Sequence, residues 1–217
     1  MTKDTLLAGL AGRIIAVAHT RTVVAVDGVD GAGKSHLADH LALHMENNGW
    51  EIIRASIDDF HNEREVRYRQ GKTSPQGFFQ DSYNYPALRQ ELLEPFKSGA
   101  SSIAVTFFDH RTNARTSTPR RQITTPRAIL ILDGIFLHRP ELRDMWDVSL
   151  YLTVPFSVTY ARMAHRDGSN PDPQAPENKR YLKGQEIYLS TCSPQDHATF
   201  VIDNSNFQRP ALTEDRL

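Results

Sequence analysis

Apolar and β-branched residues gather in six short runs: Thr22–Asp27, Glu51–Ser56, Ile103–Phe108, Ala128–Leu132, Val148–Val154 and Thr199–Ile202. Most are nearly continuous rather than alternating, the pattern of strands covered on both faces, as in a parallel sheet. Between several of them the apolar positions take up a helical period. Leu37, Leu41 and Met45 fall on one face of Ser35–Met45, with Gly49 as a stop. Leu88, Leu92 and Phe96 form a stripe along Pro86–Lys97, which opens on a proline and is followed by Gly99. Val158–His165 and Asn178–Thr191 also read as helices, and Leu6, Leu10 and Ile14 predict an amphipathic helix within residues 1–20. Strands alternating with helices predict one α/β domain over residues 1–217, three-layered, with a mostly parallel central sheet and helices on both faces. Two stretches lack regular pattern: residues 60–85, rich in arginine and aromatics, and the Pro-rich Gly168–Glu177. Loops of that length usually serve function, and both are expected to cover a substrate.

Composition narrows the classes. The chain has 217 residues, 39% hydrophobic and 24% charged, which is ordinary for a globular protein that needs no disulfide or metal staple. Lysine plus arginine (25) balance aspartate plus glutamate (26), so no overall field draws it to nucleic acid. The single cysteine, Cys192, excludes an internal disulfide and fits a reducing compartment. No apolar run approaches membrane-spanning length, and Asp4 and Arg13 interrupt the N-terminal pattern that a signal peptide would need. A cytoplasmic location is expected, with no nucleic-acid or membrane partner; self-association is left open.

Candidate chemistry begins at Gly28–Ser35, GVDGAGKS, which fits G-x-x-x-x-G-K-[ST] at every fixed position. A strand-like run leads in and a helix-like run leads out. Glycines let backbone N–H groups wrap phosphate oxygens, and the helix start turns its positive end to the same anion. Gly28, Asp30, Gly31, Ala32, Gly33, Lys34, Ser35 and His36 are therefore expected to bind a nucleotide, ATP, with Lys34 on the β- and γ-phosphates and Ser35 on Mg²⁺. No N-K-x-D guanine signature occurs, and no further acid follows Asp133–Gly134 to activate water as in a motor ATPase. Asp133, at the end of Ala128–Leu132, stands where a carboxylate could hold Mg²⁺ or its waters; the alternative is a strand-end turn cap. Ser56–His61, SIDDFH, follows the second strand directly and places acids at the carboxyl end of a parallel sheet, where α/β ligands bind. Adjacent side chains of an extended segment face opposite ways, so Asp58 is assigned as the base for an attacking hydroxyl, with Asp59 behind it.

These motifs in order, GVDGAGKS, SIDDFH, FFQDSYNYPAL, FFDHR and ILDGIF, resemble the uridine kinase/phosphoribulokinase/pantothenate kinase group of P-loop kinases, and uridine kinase-like proteins most closely, over Val23 to Asn204. The resemblance implies Asp58 as catalytic base, Asp133 as a magnesium ligand where uridine kinases more often carry Glu, and Asp81 as the holder of ribose hydroxyls. It implies base and ribose contacts from Phe108, Asp109 and His110, with Phe108 in place of Tyr and His110 in place of Phe. It implies lid arginines at Arg162 and Arg166 in a lid over 162–180, with Thr159 where a further arginine would stand.

The residues read independently agree in part. Arg162 and Arg166 stand four apart on one helix face and could neutralise a transferring phosphoryl group, or could be solvated. Asp81 beside Phe79 and Tyr83 could accept sugar hydroxyls next to stacking rings, or could cap a helix. Asp109 and His110 could bind a polyol or form an ordinary turn. His36, His40 and His44 are spaced for one helix face and read as a polar stripe rather than a zinc site. The expected activity is transfer of the ATP γ-phosphate to a primary hydroxyl, foremost the 5′-hydroxyl of uridine or a related nucleoside. A pentose phosphate or pantothenate are the other acceptors, and a nucleotide-binding regulator without catalysis is the other class. An RNA-dependent ATPase finds little support in the sequence.

Overall fold

The computed structural model describes residues 2–217. The strands are β1 Arg21–Gly28, β2 Glu51–Ser56, β3 Ser102–Ile103, β4 Phe108–Asp109, β5 Ala114–Arg115, β6 Arg121–Gln122, β7 Ala128–Gly134, β8 Val148–Thr153, β9 Phe200–Asp203 and β10 Ala211–Asp215. The helices are α1 Lys3–Val17, α2 Lys34–Glu46, α3 Arg64–Arg67, α4 Pro75–Asp81, α5 Tyr85–Leu88, α6 Glu94–Lys97, α7 Phe156–Asp167, α8 Lys179–Cys192 and α9 Pro194–His197. Six strands form one sheet in the order β10-β9-β8-β1-β7-β2, parallel except for the antiparallel edge β10.

Strand alternation builds two cores. Val24, Val26, Ile129 and Ile131 face α1 and α2, meeting Leu6, Leu10, Ile14, Leu37 and Leu41. Val23, Ala25, Leu130 and Leu132 face the other way, toward Leu88, Leu92, Phe96 and Tyr188. Each such leucine or isoleucine taken out of water is worth about 1.5–3 kcal/mol, so the long apolar runs pay for ordering the sheet. This is the three-layer α/β arrangement that the alternating runs predict.

Three expectations need correction. Ile103–Phe108 is not a strand of the main sheet; only its ends pair, β3 with β6 and β4 with β5, in two-residue ribbons. Ile103 and Phe108 are buried while residues 104–107 are only partly covered, so the run lines the flank of the domain instead of crossing its core. Residues 60–85 are not patternless. They hold α3 and α4, and Phe78, Phe79, Tyr83 and Tyr85 are core residues. Pro86–Lys97 is helical but not uniform, with a π turn over Arg89–Leu93. Pro95 has no N–H to return to the Glu91 carbonyl, which instead accepts from Ala104 N at 3.1 Å.

Candidate functional site

The register of the sheet brings three strand ends level. Ser56 lies beside Asp133, and Asp27 beside Gly134, so β2, β7 and β1 deliver their following residues to one rim. Gly28–Ser35 leaves β1 there and turns into α2. Gly31 (φ 72°) and Gly33 (φ 92°) adopt left-handed backbone conformations. A Cβ at Gly31 would come 2.6 Å from the Thr159 carbonyl oxygen, and one at Gly33 2.4 Å from the Phe207 ring, so close packing demands glycine as well. Lys34 Nζ donates to the Val29 carbonyl at 3.0 Å, folding its charge back over the loop.

Ser35 Oγ donates to Asp133 Oδ2 at 2.6 Å, and Arg54 Nη2 donates to Asp133 Oδ1 at 2.7 Å. Asp133 is buried, yet both oxygens are engaged. Arg54 also reaches the Ile131 carbonyl at 2.7 Å and Asp39 at 3.0 Å, and was not singled out in the sequence because nothing local marks its direction. Asp58 follows Ser56 in a single 3₁₀ turn, exposed on the rim. Its Oδ1 accepts from the Tyr83 hydroxyl at 2.8 Å, and its carbonyl is 2.7 Å from His61 Nδ1. Asp59 titrates above the usual range, first through burial and then through the charges of Asp58 and Asp133. Three carboxylates thus crowd one edge of the phosphate loop, a negative field that a hard cation would relieve.

A cavity of about 860 Å³ opens over the loop, lined by Gly33, Ser35, His36, Arg162, Arg166 and Phe207, among others. Arg162 stacks 3.7 Å from the Phe207 ring centre and donates to the carbonyls of Asn204 and Ser205 at 2.8 and 2.9 Å. Arg166 is exposed and pairs with Asp167 at 2.7 Å. Both arginines line this cavity, with Arg162 committed to its far wall.

The residues that the resemblance assigns to an acceptor lie in several environments. Asp81 is buried, and its carboxylate accepts from Arg69 and, at 2.7 Å, from Gln70, one bond to each oxygen. Asp109 caps its own turn, accepting from Arg111 N at 2.8 Å and Thr112 Oγ1 at 3.0 Å, which holds it below the usual carboxylate range. Tyr83 turns to Asp58. His110 lies 4.7 Å from the His61 ring, and Phe108 and His61 border a cavity of about 240 Å³ with Asn62 and Asn84. His61, which the sequence reading passed over, meets the Asp58 carbonyl, while Tyr83 meets the Asp58 carboxylate.

Behind the loop, α8 makes two attachments from residues three apart on one helix face. Gln185 Oε1 accepts from Asp30 N at 2.7 Å. The Tyr188 hydroxyl donates to Asp27 Oδ2, which also lies 2.6 Å from His138 Nδ1, while Asp27 Oδ1 accepts from Gly28 N at 2.7 Å.

Comparison with known proteins matches this geometry. Residues 23–171 fit the family described as phosphoribulokinase / uridine kinase. Uridine kinases from Shewanella piezotolerans and Haemophilus influenzae are 28% and 27% identical over 153 residues, covering 67% of this chain and 68% of theirs. Among solved structures, one described as a possible uridine kinase from Bacillus stearothermophilus superposes with a TM-score of 0.70 at 24% identity, covering 90% of this chain and 96% of that one. D-glycerate 3-kinase from Cryptococcus neoformans shares the fold, with a TM-score of 0.59 at 15% identity over 96% of this chain and 97% of its own. With the phosphate loop, the strand-end acids and the sheet order in one frame, and the family pattern running through all of them, this chain is a P-loop kinase of the phosphoribulokinase/uridine kinase family.

Proposed function

We propose that the protein transfers the γ-phosphate of ATP to a primary hydroxyl of a small polyol, foremost the 5′-hydroxyl of uridine or a related nucleoside. The observation that carries this reading is the convergence of Asp58 and the phosphate loop on one rim, set by the Ser56–Asp133 and Asp27–Gly134 register. Asp58 takes the proton from the attacking hydroxyl, with one oxygen steadied by Tyr83. The loop N–H groups and Lys34, once swung from Val29, hold the β- and γ-phosphates, and Arg166 from α7 screens charge at the open face. The Ser35 hydroxyl and the Asp133 carboxylate, already in contact, are the hard oxygen donors that suit Mg²⁺. Bound there, the ion would neutralise phosphate charge.

One observation favours a second acceptor class. Arg67 has no carboxylate partner among the described residues, its Nε is buried without a hydrogen bond, and its charge bears on His61. An anionic acceptor, such as a pentose phosphate or pantothenate, would satisfy it. The test is ADP release with ATP and Mg²⁺ against nucleosides, pentose phosphates and pantothenate, for the wild type and Asp58→Asn. The variant should bind ATP normally and lose at least about a hundredfold in turnover. Near-normal turnover removes Asp58 from the base role. No acceptor-dependent ADP release in the wild type would leave the non-catalytic regulator as the reading.

A further inference from the structure

The third residue of the phosphate loop is an acid, and an acid is out of place in an anion cradle. A carboxylate facing a triphosphate would repel it at close range in a partly dry site. Asp30 therefore needs a different role from its neighbours Gly31–Ser35.

Its surroundings give one. Asp30 N donates to Gln185 Oε1 at 2.7 Å, and Gln185 Nε2 lies 3.3 Å from Asp30 Oδ2, so the buried α8 amide fixes both the backbone and the side chain of this residue. The second oxygen, Oδ1, has no hydrogen-bond partner among the described residues. The titration of Asp30 is raised, first by burial, and the charges that bear on it are Lys34 and Arg166 from the nucleotide side and Asp58 from the acceptor side. Tyr83, which holds Asp58, feels Asp30 as well. Asp30 follows Asp27 out of β1, and Asp58 follows Ser56 out of β2, so the register that levels those strand ends brings both acids to the same rim of the sheet.

At the same time the acid expected to hold sugar hydroxyls already has partners. Each oxygen of Asp81 accepts one bond, from Arg69 and from Gln70, and Asp109 is folded into its own turn. A polyol bound beside Asp58 is better served by an acceptor with an unshared oxygen for its remaining hydroxyls, because unpaired hydroxyls in a dry pocket are costly.

We propose that Asp30, positioned by Gln185, is an acceptor-binding and specificity-determining residue: its free carboxylate oxygen accepts a hydrogen bond from a second hydroxyl of the polyol whose primary hydroxyl faces Asp58. The site then selects acceptors with at least two hydroxyls, and the acid belongs to acceptor recognition although it sits in the nucleotide loop. This rests on the kinase reading above.

The experiment is steady-state kinetics of the wild type, Asp30→Asn and Asp58→Asn, with ATP and with uridine, ribulose 5-phosphate and pantothenate as acceptors, alongside calorimetric ATP binding. Asp30→Asn should raise the acceptor KM at least about tenfold with kcat reduced much less, and ATP affinity should be unchanged or tighter. With uridine as acceptor, 2′-deoxyuridine and 3′-deoxyuridine supply the partner half of the cycle: one of them should be penalised in the wild type and show little further loss in Asp30→Asn. An unchanged acceptor KM with turnover intact overturns the inference and leaves the kinase reading standing. Weaker ATP binding with an unchanged acceptor KM overturns it by returning Asp30 to the nucleotide. A wild type that turns over none of the acceptors removes the kinase reading and this inference together. Gln185→Leu is the second variant: it should mimic the rise in acceptor KM in weaker form, and the same rise reproduced by loss of ATP affinity would again count against the proposal.

Discussion

Single carboxylates decide much of this molecule, and their partners differ enough to be told apart. Asp133 is bound by Ser35 and Arg54, Asp81 by Arg69 and Gln70, and Asp58 by Tyr83 alone. Only the last keeps an oxygen without a protein partner, and it stands exposed on the rim. Glu51 shows the structural use of the same group. It opens β2 and accepts from Thr124 N at 2.8 Å, Thr124 Oγ1 at 3.0 Å and Thr125 N at 2.8 Å, tying the segment that leads into β7. Burial alone would raise its titration, but these bonds and the nearby Arg121 hold it below the usual carboxylate range. A depressed folded value means stability that is full above the unfolded value and lost as pH falls through the folded one. Glu51→Gln should therefore cost about 1 kcal/mol at pH 7 by urea unfolding, and the two chains should converge below about pH 4. A gap that does not change with pH would assign the loss to packing instead of charge.

Helix α8 shows how an element can be legible while its purpose is not. The period of Asn178–Thr191 announces a helix, and the structure has one over Lys179–Cys192. The sequence does not announce that Gly184 faces α4, where a Cβ would come 2.6 Å from Phe78 Cδ1 and 2.9 Å from the Pro75 carbonyl oxygen. In an exposed helix Gly→Ala gains about 1 kcal/mol. Here the clash with a buried ring and with backbone should reverse the sign, and Gly184→Ala should lose about 1–3 kcal/mol in thermal or urea unfolding. A stabilised variant would mean that α4 and α8 separate freely. The strands follow the same division. Five of six apolar runs became strands of the main sheet because continuous burial on two faces is written locally. Ile103–Phe108 failed because pairing depends on which neighbours arrive, and β10 was missed because ALTED, mostly exposed, carries no apolar run at all.

At the scale of the whole molecule the phosphate loop, Asp58 and Asp133 were legible because each is a contiguous motif at the end of a strand, and parallel strands end on one side. The pairing of Asp81 was not, since it depends on Arg69 and Gln70 folding back across the segment between α3 and α4. Nor was the clasp behind the loop. Gln185 and Tyr188 fasten α8 to Asp30 and Asp27, while Arg180, one to two turns earlier on the same helix, donates to the Lys72 carbonyl at 3.0 Å and stacks 4.8 Å from the Tyr68 ring. One helix thus touches the phosphate loop at one place and the α3–α4 segment at another. Binding on either side must bias the other if that helix moves as a body. ATP at a hundredfold its Kd stabilises the folded chain by about 2.7 kcal/mol. Amide hydrogen exchange should distribute that gain beyond Gly28–Ser35, slowing α8 and the α3–α4 segment as well, whereas β10 and the outer face of α1 should change little. Tyr188→Phe removes the bond to Asp27 while keeping the ring in its core site, and Gln185→Leu removes the attachment to Asp30, so the double variant should confine the protection to the phosphate loop. Protection in the double variant that still reaches residues 64–81 would show that the clasp is not what joins the two sides.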